Sequence, residues 1–325
     1  MRLIVTLFML FAAVGLSGSS ASASPKDKRV ALLSMANTNP WVNAWTSTFM
    51  KHAKTYGMKV TNLTSPYDAA LQSQQVDDAI AQKFDIIVIE YANDQAIVPA
   101  LTRAKAAHIP VVLWATPLKK EHDDLVLSYV GTNHTDLGRV AAENLVKGLA
   151  AEGKTKAQVV AITGLAQQLM VQMRMAGFRE VLAKHPGIKL VAQEDGKWNT
   201  ARTEKIASQL LVRYNARGGI DGMFGMADNQ ATGIIQAVES AGRKLGVANK
   251  GIVVVASNCM KDGIIHIKDG KQFSTATQIP TQEAEVAAKK VADYFNGKKL
   301  KKYEYVKSYG INNANVGKFA AACSY

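Results

Sequence analysis

From Arg29 onward the chain alternates short, continuously apolar runs with longer amphipathic stretches. Asp85-Ile-Ile-Val-Ile and Ile252-Val-Val-Val-Ala show the first kind, the mark of strands covered by helices on both faces. Bounded by turn-forming residues, such runs predict strands at Val30 to Ser34, Lys59 to Leu63, Asp85 to Glu90, Pro110 to Trp114 and Leu127 to Gly131. Five more are expected at Gln158 to Thr163, Lys189 to Gln193, Gly222 to Met226, Ile252 to Ser257 and Ser274 to Gln278. Between them, Trp41, Val42, Trp45, Phe49, Ala53 and Tyr56 recur at helical spacing, and Gly57 closes that helix. Ala142, Leu145, Val146 and Leu149 make a second stripe, and Ile206, Leu210, Leu211 and Tyr214 a third. The fold class is α/β. About ten strands is the upper range for one twisted sheet, so two parallel sheets are expected, although no Pro/Gly/Ser linker marks their border.

The N-terminus sets the compartment. Arg2, an apolar run from Leu3 to Leu16 and the small residues Ser17 to Ala23 read as an export signal cleaved near Ala23. The run is about 14 residues, short of the roughly 20 a membrane-spanning helix needs, and no cysteine stands at the cleavage point to carry a lipid. A periplasmic location is expected. The net charge of +13 raises nucleic acid as a partner, but Lys and Arg are dispersed and do not interleave with aromatic residues, so no nucleic-acid surface is assigned. The run Lys298, Lys299, Lys301 and Lys302 reads as a solvated face. Cys259 and Cys323 are either two buried thiols or one disulfide. Closing a loop of about 64 residues would contribute about 3 to 4 kcal/mol.

Ligands on open parallel sheets bind beyond the carboxyl ends of the strands. Those positions hold Asn37, Asn39 and Trp41 after the first strand, Glu90 and Asn93-Asp94 after the third, and Trp114-Ala115-Thr116 after the fourth. The second half offers Arg174, Trp198, Asp228-Asn229, Asn258 and Gln278. Amides and carboxylates beside indole rings suit a small polar solute, with rings packing on C–H faces and amides pairing with hydroxyls. Each Asn or Asp has a second reading as a turn former or helix cap, and Trp41 one as the first core residue of its helix. The chain carries no G-x-S-x-G, H-E-x-x-H, G-x-x-x-x-G-K-[ST] or Cys-x-x-Cys motif, and its histidines are scattered. No catalytic residue, metal or cofactor is assigned.

These marks, in this order, resemble the periplasmic sugar-binding proteins of ABC transporters, of the ribose-binding type. The likeness rests on Asn39-Pro40-Trp41, Ile109-Pro110-Val111-Val112, Tyr129-Val130-Gly131-Thr132-Asn133 with Gly138, Arg174-Met175-Ala176-Gly177-Phe178, Asp221-Gly222-Met223-Phe224 with Asp228, and Ala276-Thr277-Gln278. It implies two doubly wound parallel-sheet lobes, 28–131 plus 279–305 and 132–278 plus 306–325. They would be joined by a three-crossing hinge at Thr132-Asn133, Gln278-Ile279 and near Val306. It also implies a monomer that encloses its ligand between lobes and docks on a membrane permease, or alternatively on a chemoreceptor or sensor kinase. By position, Asn39, Trp41 and Glu90 would face the ligand from the first lobe, and Arg174, Trp198, Asp228, Asn258 and Gln278 from the hinge and second lobe. The departures concern the ligand. Where the ribose type has an Asp-Arg pair gripping hydroxyls, this chain has Ala115 and Thr116, and Glu90, Ala227 and Asn258 replace Asn, Asn and Asp. These changes suggest a ligand less hydroxylated than a pentose, or not a sugar, with Glu90 and Arg174 pointing to an amine or carboxylate.

Overall fold

The computed structural model describes residues 24–35 and 39–325. The export signal and Asn37 lie outside the described residues. The first lobe begins with β1 (Arg29–Ser34), α1 (Pro40–Thr55), β2 (Lys59–Thr64), α2 (Ala69–Ala81), β3 (Ile86–Ile89), α3 (Asp94–Ala106), β4 (Val111–Trp114) and β5 (Ser128–Thr132). The chain then builds a second lobe from α4 (His134–Ala151), β6 (Ala157–Thr163), α5 (Leu169–Leu182), β7 (Ile188–Asp195), α6 (Thr200–Asn215) and β8 (Gly222–Gly225). This lobe continues through α7 (Asp228–Ser240), β9 (Val253–Ser257), α8 (Lys261–Lys268) and β10 (Ser274–Ala276). Next, α9 (Pro280–Phe295) and β11 (Tyr303–Val306) return to the first lobe, and β12 (Gly310–Asn312) and α10 (Val316–Phe319) finish in the second.

Among the described residues these strands form two six-stranded sheets, ordered β11-β5-β4-β3-β1-β2 and β12-β10-β9-β8-β6-β7. Every pairing in the first is parallel, and in the second only β12 runs antiparallel, against β10. The two lobes are the doubly wound α/β units that the alternating pattern implied. Two strands escaped that pattern. β11 is a half-exposed edge strand of Tyr-Glu-Tyr-Val, and β12 has only three residues, so neither makes the buried apolar run that marks a central strand. β10 also ends at Ala276 rather than Gln278.

Local chemistry explains the first helix. Pro40 occupies its first turn, and the Asn39 Oδ1 accepts from the backbone N–H of Trp41 at 2.9 Å and Val42 at 3.4 Å. Its apolar face, Trp41, Val42, Trp45, Phe49 and Ala53, is buried against the sheet and α9. Trp45 stacks on Trp114 at 3.9 Å between ring centroids and on Phe49 at 5.2 Å.

The chain passes between lobes at residue 133, at 277–279 and at 307–309. The crossings are tied together. Thr277 donates its N–H to the carbonyl of Tyr309 at 2.8 Å, and Tyr309 N–H returns a bond to the Thr277 Oγ1 at 2.8 Å. Thr132 donates its hydroxyl to the Glu283 Oε1 at 2.6 Å, linking the first crossing to α9. Cys259 and Cys323 are joined as a disulfide with Cα atoms 5.2 Å apart, which resolves the two readings of the sequence.

Candidate functional site

The centre of the site is Arg174, and two glycines put it there. A Cβ on Gly138 would lie 1.9 Å from the Arg174 carbonyl oxygen, and one on Gly177 would lie 2.0 Å from the Thr135 carbonyl oxygen. Helices α4 and α5 therefore touch backbone to backbone, bringing Arg174 beside the first crossing, fully buried. Its Nε donates to the His134 Nδ1 at 3.2 Å, and its Nη1 to the Met226 carbonyl and the Asn258 Oδ1, each at 3.1 Å. Its Nη2 donates to the Gln278 Oε1 at 2.5 Å. Strand ends β8 and β9, the second crossing and α4 are thus gathered on one guanidinium. Burial lowers its pKa to about 10, which leaves it charged at neutral pH. Burial, followed by the neighbouring Arg174 charge, lowers His134 to about 3. The neutral ring accepts at Nδ1, so its proton sits on Nε2 and is donated to the Ala115 carbonyl.

Opposite Arg174, the first lobe presents Trp41 and Glu90. Trp41 donates its indole N–H to the Gln278 carbonyl at 2.8 Å, a bond from the first lobe to the second crossing. The Arg174 guanidinium also lies 5.5 Å from the centre of the Trp198 ring. Trp198 is fixed by the Gln168 Oε1, which accepts its indole N–H at 2.7 Å, and by Gly164, where a Cβ would lie 1.9 Å from the ring. Between the lobes these side chains line a cavity of about 50 Å³. Asn39, Trp41, Glu90, Arg174, Trp198, Asn258 and Gln278 all line it. Four lining residues hold left-handed backbone without being glycine: Tyr67 (φ 54°), Ala115 (φ 59°), Trp198 (φ 57°) and Asn258 (φ 90°). Such conformations cost energy and cluster where a site needs a side chain aimed in one direction.

The sequence profile described as periplasmic binding protein domain matches residues 30–299, most of the chain. The chain belongs to the periplasmic binding protein family. It is similar to the ribose import binding protein of Bacillus subtilis (strain 168), 26% identical over 283 residues, with 87% of each chain covered. The fold is shared with a solute binding protein of an ABC transporter from Bacillus halodurans C-125 solved with bound myo-inositol. That likeness has a TM-score of 0.82, 17% identity, and coverage of 92% of this chain and 99% of that one. It is shared too with the fructose binding periplasmic domain of a hybrid two component system, with a TM-score of 0.81, 20% identity, and coverage of 90% and 93%.

In this periplasmic binding protein two of the residues expected at the ligand sit elsewhere. Trp114 is fully buried, sandwiched against Trp45 with its ring on the α1 side of the sheet, and does not line the cavity. Asp228 is a structural hub of the second lobe. Its carboxylate accepts from the Met260 N–H at 2.8 Å, the Gln272 Nε2 at 2.8 Å and the Thr275 Oγ1 at 3.1 Å, which uses its acceptors within the protein. Burial raises its pKa to about 7 against those donors. The sequence reading missed Met35, Val42, Tyr67, Gln168 and Met170, all of which line the cavity. Tyr67 stands in a connection without periodicity, whereas Gln168 follows β6 and was within reach of the strand-end rule. Glu90 and Arg174 share the cavity without an ion pair between them. Among the described residues no cluster of His, Cys, Asp and Glu could hold a metal, and no helix is long and apolar enough to cross a membrane.

Proposed function

We propose that this protein captures a small polyhydroxylated solute, a sugar or polyol, between its lobes and delivers it to the membrane permease of an ABC importer. The observation that carries the reading is Arg174: a fully buried guanidinium at the meeting point of both lobes and two crossings, facing an inter-lobe cavity flanked by indole rings. A cavity of about 50 Å³ is well below the roughly 300 Å³ at the lower end for small-molecule sites, which supports entry by parting of the lobes. The lobes, 28–131 plus 279–305 and 132–278 plus 306–325, would rotate about the three crossings. The mature chain begins after cleavage near Ala23, works in the periplasm as a monomer, and transforms nothing chemically. Its relatives among ribose import and myo-inositol-bound proteins support the solute class. The fructose-binding domain of a hybrid two component system supports a second partner, a sensor, on fold alone.

A ligand that binds only the folded chain raises the thermal midpoint. In a panel of pentoses, hexoses, polyols and amino sugars at millimolar concentration, at least one neutral sugar or polyol is expected to raise it by several degrees. No shift with any member would count against solute capture.

A further inference from the structure

The cavity contains one acid that no basic group answers. Glu90 is buried, with 3% of its surface exposed, and lines the cavity from the end of β3. Its backbone is fixed: its carbonyl accepts from the Gln72 Nε2 at 2.7 Å, and the Gln72 Oε1 accepts from the Ala92 N–H at 2.8 Å. Its carboxyl receives the N–H of Met35, while Oε2 has no partner among the described residues. Ala36, Asn37 and Thr38, which continue from Met35, bring no charge. The titratable groups around it are Tyr67 from the β2–α2 connection, Glu283 from the first turn of α9, and Arg174 on the cavity wall. Arg174 is not paired with it and spends four of its five N–H donors on His134, Met226, Asn258 and Gln278. A single free N–H cannot hold a carboxylate in the two-point manner that makes Arg selective for anions. A cationic guest would have to approach that same guanidinium.

We propose that Glu90 works in its protonated form, offering one donor and one acceptor as an amide would, and that it restricts the cleft to uncharged polyhydroxylated ligands over amines and carboxylates. This rests on the solute-capture reading above. An ionised carboxylate buried without a cation is strongly disfavoured, whereas the neutral acid can satisfy its O–H on a ligand hydroxyl. Burial, with Glu283 beside it and against the Met35 N–H, pushes Glu90 up to about 8. Among the described residues, Arg174 and Glu90 are the charged side chains that line the cavity.

The test is a pH titration of the full mature chain labelled with carboxyl-¹³C glutamate, in the wild type and in Glu90→Gln. One resonance is expected to titrate near pH 8 and to be missing from Glu90→Gln; Glu283→Gln, whose residue burial lifts to about 7, controls the assignment. A Glu90 midpoint near 4.5 would overturn the proposal whether or not any solute binds. Calorimetry then compares myo-inositol, D-ribose, D-glucosamine and D-glucuronate from pH 6 to pH 9. For a neutral compound that binds, the Kd should rise about tenfold per pH unit above 8 in the wild type and stay flat in Glu90→Gln. Preferential binding of glucosamine or glucuronate would overturn it. If none of the four binds, the pH dependence is measured on the neutral compound that raises the thermal midpoint in the wider panel, and the titration decides the protonation of Glu90 independently.

Discussion

Arg174 gathers two strand ends, the second crossing and α4 on one side chain. Replacing it by Ala removes a charged donor and is expected to weaken solute binding by about 1.5 to 3 kcal/mol, the range for hydrogen bonds from charged groups. The same change strands the acceptors of Met226, Asn258, Gln278 and His134, so the thermal midpoint should fall as well. An unchanged Kd in calorimetry would remove Arg174 from the site. Trp41→Phe keeps a smaller ring on the cavity but deletes the bond to the Gln278 carbonyl and strands that buried acceptor, so a moderate loss of affinity together with a lower thermal midpoint is expected. Asn258 was within reach of the strand-end rule because it directly follows β9, and Gln278 lies just past β10, whereas Arg174 sits inside α5, well beyond the end of β6, where that rule does not reach. Trp114 and Asp228 misled because the same rule says nothing about which way a terminal side chain turns. Trp114 turns into the tryptophan stack, and Asp228 turns back onto the N–H of Met260. The left-handed backbone of Tyr67, Ala115 and Trp198 had no sequence signal either, whereas Asn258 is of the residue type that most readily adopts it after glycine.

Among elements, the central strands and long helices announced themselves through burial, and the edges did not. β1, β3, β4 and β9 are apolar throughout their interiors, whereas β11 alternates tyrosines with charge and β12 pairs through three residues only. Yet β11 and β12 carry the third crossing between the lobes, so the least legible elements matter for motion. The disulfide is the other element-scale device. It pins the tail after α10 to the turn after β9, where Asn258 and Cys259 both hold positive φ and the Tyr325 hydroxyl donates to the Asn258 carbonyl. Cys323→Ser should destabilise the protein by about 3 to 4 kcal/mol in denaturant unfolding under the chain-entropy model of a closed loop. Loss of much less than that would mean the tail is held by packing of Ile264, Ile311 and Val316 rather than by the bond.

For the whole molecule, two cores and a shared boundary follow from one repeating pattern. Apolar strands needed helices on both faces, ten or more strands needed two sheets, and the sheets met where Thr132, Glu283, Thr277 and Tyr309 bind the crossings together. The sequence could not show that boundary, because the contacts that define it join residues up to 237 positions apart. Solute binding between the lobes at Arg174 is the step on which the proposed function depends. A crystal structure of the protein grown with whichever panel compound raises the thermal midpoint most tests it directly. That compound is expected to lie enclosed between the lobes, hydrogen-bonded to Arg174 and Glu90 and packed on Trp41 and Trp198. The same compound bound on an outer face, with the inter-lobe residues untouched, would contradict it.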